Sequence, residues 1–583
     1  MKSKNWIVLL VVLVILLVVS LWIMSDSNEQ SDTLVTEQES EAYFGRLRDK
    51  NDIYKMYDPT EVVTMYLTVS TGNEAENTNH TWAEINTYSA YDYEDMGIDR
   101  YKVQGLLQVG TEDGPGEGEL GYGQMSPNCT VQIRGQISSK GAQKNYKIKI
   151  KDNKGDWRGQ TTIALNKHQS DGVRFRNKLA FDLMTGIDQM MSLRTTFVHL
   201  YVKDTTAGGS GQFVDYGLYT QVEQLNKTAL ERHGLDKNGH LYKINYFEFY
   251  RYEDFVKLKT DPTYDEATFE YHLETKGNDD HQKLINMLDD LNDYSIPIDT
   301  VLEKHFDVEN LSYWLAFHIL VGNVDTQSRN VYMYSPLNGT KWYFLSWDND
   351  AMMKKQEYQI QNRVDATGWN VGVSNYWGNV LFQRALKSEK FRKELDKAVE
   401  DIKAYLSKEK ITGLTQKYAA VVKPYLYSTA DITYAPLTPS QFDLVARDMY
   451  KEVDLNYKLY KESFRTPQPF FIALPRKMAD GKMIYEWEAS YDFNGEPITY
   501  TFELGTDYLF ARPILEKEGM TIPVVEGEKL SPGHYFVRVT AKNKSGKTQT
   551  AFDCYTVENG KVYGVLSFYV RPDGKIEGEV YED

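Results

Sequence analysis

"GNVDTQSRNVYMYSP" (residues 322–336) and "KWYFLSWDNDAMM" (residues 341–353) decide how this chain is read. Each half sets carboxylates beside a short, apolar, strand-like run. In the first, Asp325 is followed five positions later by Asn330; in the second, Asp348 and Asp350 follow a run ending in Trp347. Two acids and an amide gathered around a hairpin either hold a divalent metal or form two polar turns capped by their own side chains.

Phosphoryl transfer needs few protein parts. One carboxylate orients the attacking hydroxyl, and a second carboxylate with an amide holds the metal that bridges the phosphates. Protein kinases space the first acid and the amide as D-x-x-x-x-N and place the second acid after a short hairpin. Here Asp325-x-x-x-x-Asn330 leads into "VYMY", the turn "SPLNG" and "KWYFLSW", and then Asp348. The D-x-x-x-x-N spacing alone is weak in a chain rich in Asp and Asn. Its order with a hairpin and W-D-x-D is much more specific.

The totals narrow the classes. At 583 residues the chain exceeds one ordinary domain, and 41% hydrophobic with 13% aromatic residues supplies real cores. A net charge of −17 argues against general nucleic-acid binding, because phosphates would repel it. Two cysteines, Cys129 and Cys554, exclude a disulfide scaffold and a cysteine-rich zinc site, leaving one long-range bridge or two thiols open.

An apolar run from Trp6 to Met24, with Lys2 and Lys4 before it, is long enough to span a bilayer. It predicts a transmembrane anchor over residues 1–24, the N-terminus cytoplasmic and the bulk of the chain outside the cytoplasm. A signal peptide would have a shorter apolar region and a small-residue cleavage site. Residues 25–52 are polar and acidic and read as a stalk. Residues 53–463 read as one two-lobed α+β domain, β-rich to about residue 250 and α-rich from about 251 to 463. Within the first lobe, Tyr146, Ile148 and Ile150 alternate with Lys147, Lys149 and Lys151, predicting a half-buried strand. After the linker "RTPQP", residues 468–583 read as a β-sandwich of fibronectin type III kind.

The stretches "IRGQISSKGAQKNYKIKI", "WRGQTTIALNKHQSDGVRFRNKLAFDLM", "YGLYTQVEQLNKTAL", "GHLYKIN", "GNVDTQSRNVYMY" and "KWYFLSWDNDAMM" resemble, in order, the CotH family of atypical, kinase-like proteins, named for a spore coat protein. The resemblance covers roughly residues 60–460. It implies a protein kinase-like fold and a secreted or surface-facing kinase that uses ATP and Mg2+ or Mn2+ on the Ser/Thr hydroxyls of a protein substrate. Residue by residue it implies Asp325 as the catalytic acid, Asp348 and Asn330 as metal ligands, and Arg134 and Lys147 as phosphate contacts. Lys149 shares a strand face with Lys147, so either lysine can reach the phosphates. Glu223 follows a strand where the chain crosses between lobes and is assigned to the nucleotide's adenosine end or to a helix cap. Asp182 is the candidate partner for the reaching lysine.

Three positions depart from the pattern. Ile137 replaces a serine after R-G, Asn323 and Val324 precede Asp325 in place of His-Arg, and no glycine-rich phosphate loop is present. The leading reading is a membrane-anchored, extracytoplasmic Ser/Thr kinase of surface or coat proteins, with the C-terminal domain as a spacer or as the binder of a protein or glycan. The alternatives are a non-catalytic surface scaffold, or a nucleotide-dependent transferase of another group.

Overall fold

The computed structural model describes residue 47 and residues 49–55, 57–364 and 368–579. Eight strands build the first lobe: β1 (Val62–Ser70), β2 (Val103–Thr111), β3 (Gly114–Pro115), β4 (Cys129–Arg134), β5 (Asn145–Ile150), β6 (Thr162–Asn166), β7 (Thr195–Asp204) and β8 (Phe213–Glu223). Their order is β1-β7-β8-β6-β5-β4-β2-β3, and β1 also pairs with β2. The second pairing closes the sheet into a seven-stranded barrel, with β3 folded back on β2. β1 runs parallel to β7 and antiparallel to β2.

Alternation along each strand fills the barrel: Met65, Leu67, Val131, Ile133, Ile148, Ile150, Ile163 and Leu165 are buried in one cluster. On β5 this leaves Asn145, Lys147 and Lys149 on the outer face; Lys147 is half-buried there and Lys149 exposed. The β4–β5 turn begins at Gly135 (φ +90°), where a Cβ would lie 2.0 Å from Ser138 Oγ, so glycine is required directly after Arg134.

The second lobe is built around the Val308–Val321 helix, which is buried on nearly every side. Asp307 caps its start and Gly322, at φ +64°, ends it, releasing the chain directly into residues 323–330. Beside it lies a small sheet of β9 (His240–Ile244), β10 (Leu273–Thr275), β11 (Val331–Ser335) and β12 (Tyr343–Ser346), ordered β10-β9-β11-β12. β11 and β12 are the two strand-like runs of the opening motif, paired as an antiparallel hairpin.

Residues beyond the Lys451–Ser463 helix form two larger sheets. One pairs Arg476–Lys477, Met483–Glu486 and Val524–Gly527; the other runs Leu515–Met520, Ile498–Gly505, Gly533–Asn543, Val565–Val570, Ile576–Gly578. Met483, Tyr485 and Val525 of the first share one core with Phe502, Val537, Val539 and Phe568 of the second. A short hairpin, Cys554–Val557 with Gly560–Tyr563, forms a separate two-stranded sheet whose Tyr555 and Val562 pack on Phe536 and Val565 of the larger sheet. Cys129 and Cys554 are both free thiols.

One expectation is corrected here. Among the described residues no helix is long and apolar enough to cross a membrane. The run from Trp6 to Met24, on which the single-pass placement rested, lies outside the described residues, as does most of the 25–52 segment.

A buried ionic chain fastens residues 49–54 to the barrel. His233 Nδ1 meets Asp49 at 2.6 Å and its Nε2 meets Glu223 at 3.0 Å, while Tyr54 donates to Ser192 O at 2.9 Å. Burial would lower His233, but hydrogen bonds to Asp49 and Glu223 raise it to about 9 from its ordinary 6.5. Burial would raise Glu223, but His233 and Arg194 hold it at about 2 against an ordinary 4.5. The raised histidine contributes stability that is complete below pH 6.5 and lost as pH rises through about 9; the lowered acid contributes stability complete above pH 4.5 and lost as pH falls towards 2. The network is therefore at full strength between pH 4.5 and 6.5. His233→Ala is expected to destabilise by about 3 kcal/mol in that window. In thermal melts across pH, its deficit against wild type should narrow towards about pH 9.

Candidate active site

The acidic loop of the first half-motif is a single 3-10 turn, Val324–Thr326, in which Asp325 sits at φ −95°, ψ 25°. Asn330 Nδ2 donates to Asp325 Oδ2 at 2.8 Å, and Arg329 Nε pairs with Oδ1 at 2.8 Å. Desolvation pushes the Asp325 carboxyl up and Arg329 opposes it. Residues from farther along the chain hold the loop itself. Asn375 Nδ2 donates to Val324 O (3.2 Å), Asn379 Nδ2 to Gln327 O (2.7 Å), and Tyr376 OH meets Thr326 Oγ1 (2.8 Å).

The second acidic loop leaves β12 at Trp347, and Asp348 takes a left-handed φ of +50°, a conformation that Asp and Asn tolerate better than most side chains. Two anchors hold the loop. Asn323, just before the Asp325 turn, donates to Asn349 Oδ1 at 3.1 Å, so the two acidic loops are tied together. Asn177, on the Arg176–Met184 helix, accepts from Asn349 N at 3.0 Å.

His168 closes the cluster. One ligand atom from each of His168, Asp348 and Asp350 lies within 4.8 Å of the others. His168 Nδ1 meets Asp350 Oδ2 at 3.3 Å and its Nε2 faces Asn177 Nδ2 at 3.4 Å. Asn177 Oδ1 is already spent on Asn349 N, so its amide can only donate to His168 Nε2. That leaves the proton on Nδ1, pointing to Asp350. Burial and the neighbouring Asp350 charge raise the Asp348 carboxyl; His168 and Lys354 hold Asp350 low against its own burial. Paired hard oxygens of this kind suit Mg2+ or Mn2+.

Above the acids, Arg134 lies with its guanidinium 5.7 Å from the Trp347 ring and close enough to Asp348 to feel its charge. It forms no ion pair among the described residues. Lys147 is lowered by burial and then by Lys276, Arg134 and Lys149. Cations crowded in this way are relieved by a bound anion. Asp325 and Asn330 are thus bonded to each other on a loop tied to the one that carries Asp348, with Arg134 in electrostatic reach of Asp348 and Lys147 in reach of Arg134.

Glu223 and Asp182 are corrected. Glu223 is 1% exposed, with its oxygens taken by Arg194 and His233, so it is removed from the nucleotide contacts. Asp182 pairs with Lys178 on its own helix at 3.0 Å and accepts from Thr195, so it does not serve Lys147. Sequence reasoning passed over His168, Asn177 and Arg176. Arg176, fully buried, meets Glu357 at 2.6 Å and also pairs with Asp171, linking the helix that carries Asn177 to the Lys355–Ile360 helix after the second acidic loop. Arg176→Ala would strand two buried carboxylates and is expected to cost about 3–5 kcal/mol in denaturant unfolding. Lysine should not rescue it, since only a guanidinium serves both acids and Met353 O.

A β-barrel lobe and a helical lobe, with paired acids and neighbouring basic side chains, define a kinase-like protein. The family model for "CotH kinase protein" matches residues 131–460, more than half of the chain. The chain belongs to the CotH kinase protein family. The inner spore coat protein H of Bacillus subtilis (strain 168) is 22% identical over 292 residues, 50% of this chain and 75% of that protein. That relative is described as a coat protein and lends no support to a single-pass membrane placement.

Among solved structures, the Helicobacter pylori proinflammatory kinase CtkA is 9% identical, covering 54% of this chain and 94% of that one at a TM-score of 0.26. The twitchin kinase region from C. elegans is 19% identical over 16% of this chain and 20% of that one, at a TM-score of 0.12. Both scores are too low to carry a fold argument.

Proposed function

We propose that this chain is an ATP- and divalent-metal-dependent protein kinase that phosphorylates Ser/Thr hydroxyls of a surface or coat protein. The observation that carries the reading is the tie between the two acidic loops, Asn323 to Asn349, which fastens the loop of Asp325 to that of Asp348. In this reading Asp325 orients the acceptor hydroxyl and draws off its proton. Asp348, Asp350 and the Oδ1 of Asn330 would hold the metal, whose charge would offset that on the phosphate. His168 acts from behind, donating Nδ1–H to fix Asp350. Arg134 and Lys147 hold phosphate oxygens from the barrel side, taking the place of a glycine-rich loop. The C-terminal sheets are read as a fibronectin type III-like sandwich.

The test uses the full chain, labelled ATP, and Mg2+ or Mn2+, with the chain itself and a generic basic protein as acceptors. Transfer of label that disappears with chelator, onto serine or threonine and with the mass of one phosphate, is the expected result. Label carried by an adenylyl group would replace the proposal with another transferase chemistry. No transfer under any metal, together with no nucleotide bound in calorimetry, would leave a scaffold.

A further inference from the structure

The C-terminal β domain does not hang free of the lobes. Its short hairpin and the Tyr491–Phe493 turn grip the stretch that follows the second acidic loop. Trp369 Nε1 donates to Phe552 O at 3.2 Å, and its ring packs edge-on against Phe552 (4.8 Å) and Tyr563 (5.6 Å). Asn370 Nδ2 donates to Tyr563 OH at 3.2 Å. A Cβ on Gly368 would lie 2.2 Å from the Tyr563 ring, so the backbone is seated directly on that ring. Trp377 stacks on Tyr491 at 5.1 Å.

The opposite side of the same stretch faces the catalytic loop. Asn375, Tyr376 and Asn379 supply the three bonds that fix Val324, Thr326 and Gln327 around Asp325. Contacts therefore run without a break from the β domain, through residues 368–379, to the turn that carries Asp325. In protein kinases the corresponding stretch, after the metal-binding acid, is the activation loop, and its order is set by phosphorylation. Here the same stretch is packed against aromatic rings of the C-terminal β domain.

We propose that the C-terminal β domain is a positioning element of the catalytic site, holding residues 368–379 so that they brace the Asp325 loop without a phosphorylation event. The proposal rests on the phosphotransferase reading above.

The experiment compares full-length wild type, Tyr563→Ala and Tyr563→Phe. Tyr563→Ala removes the ring under Gly368 and is expected to lower kcat about 10- to 100-fold by loosening the geometry of the Asp325 turn. Manganese–ATP affinity, read by calorimetry, should be unchanged, and Tyr563→Phe, which keeps the ring, should recover most of kcat. In hydrogen exchange, residues 368–379 and 324–329 should exchange faster in Tyr563→Ala while the barrel does not. Unchanged exchange at 324–329, or an unchanged kcat, overturns the proposal. A fall in nucleotide affinity equal to the fall in kcat also overturns it, because the effect would then be general loosening. If wild type transfers no phosphate, the kinase reading fails by that result, and the exchange measurement still decides whether the domain braces the loop.

Discussion

Asp348→Asn is expected to remove phosphate transfer by about 10³-fold or more, the scale of losing a ligand to a metal that stabilises transition-state charge. The substitution preserves shape, and Asn accepts the left-handed backbone that Asp348 adopts. No side chain among the described residues donates a hydrogen bond to the Asp348 carboxylate, so the fold loses no contact. It gains relief instead, since Asp348 and Asp350 are crowded carboxylates and burial disfavours the charge on Asp348. Without metal, the variant should therefore melt at or above the wild-type temperature. With manganese, wild type should gain thermal stability by linkage and the variant should not. That pair of melts separates a metal ligand from a polar turn. A turn residue would show no metal-dependent difference, and a structural residue would lower the melting temperature in both conditions.

What could be read from sequence followed the range of the forces involved. Tyr146, Ile148 and Ile150 declare an inward face because alternation is local, and the structure buries all three. The hairpin between Asn330 and Asp348 was legible for the same reason. Closure of the barrel was not, because β1 finds β7 in parallel from more than a hundred residues away and neither strand names its partner. Glu223 misled because a lone acid at a strand end looks available, whereas its partners, Arg194 and His233, arrive from a separate strand start and a later helix end. Asp182 misled through its neighbourhood, since Lys178, one helical turn before it, already satisfies it. His168 stands in the quoted stretch "NKHQSDG", but its value comes from Asp350, 182 residues later. Only the folded chain shows which nitrogen carries the proton.

Asp325→Asn is the second large effect, with kcat expected to fall by about 10²- to 10⁴-fold, the usual worth of a positioned general base. Metal and nucleotide binding should survive, because the proposed ligands are Asp348, Asp350 and Asn330, whose Nδ2 can still donate to an amide at position 325, and the phosphate cations come from the barrel. Stability should change by no more than about 1 kcal/mol: the ion pair with Arg329 is partly exposed, at 38% for Asp325, and such pairs are weak. The neutral amide can still accept from Asn330, so the turn keeps its shape. The diagnostic result is therefore a fall in kcat with calorimetric manganese–ATP binding intact, the inverse of Asp348→Asn, which should lose metal first. The variant Arg329→Ala sharpens the distinction. If Arg329 merely holds Asp325 as half of a polar turn, losing it should leave transfer untouched. If it restrains a working base, transfer should change while binding does not. Should Asp325→Asn transfer phosphate at the wild-type rate, Asp325 is a turn residue, and the reacting hydroxyl must be positioned from elsewhere in the cleft.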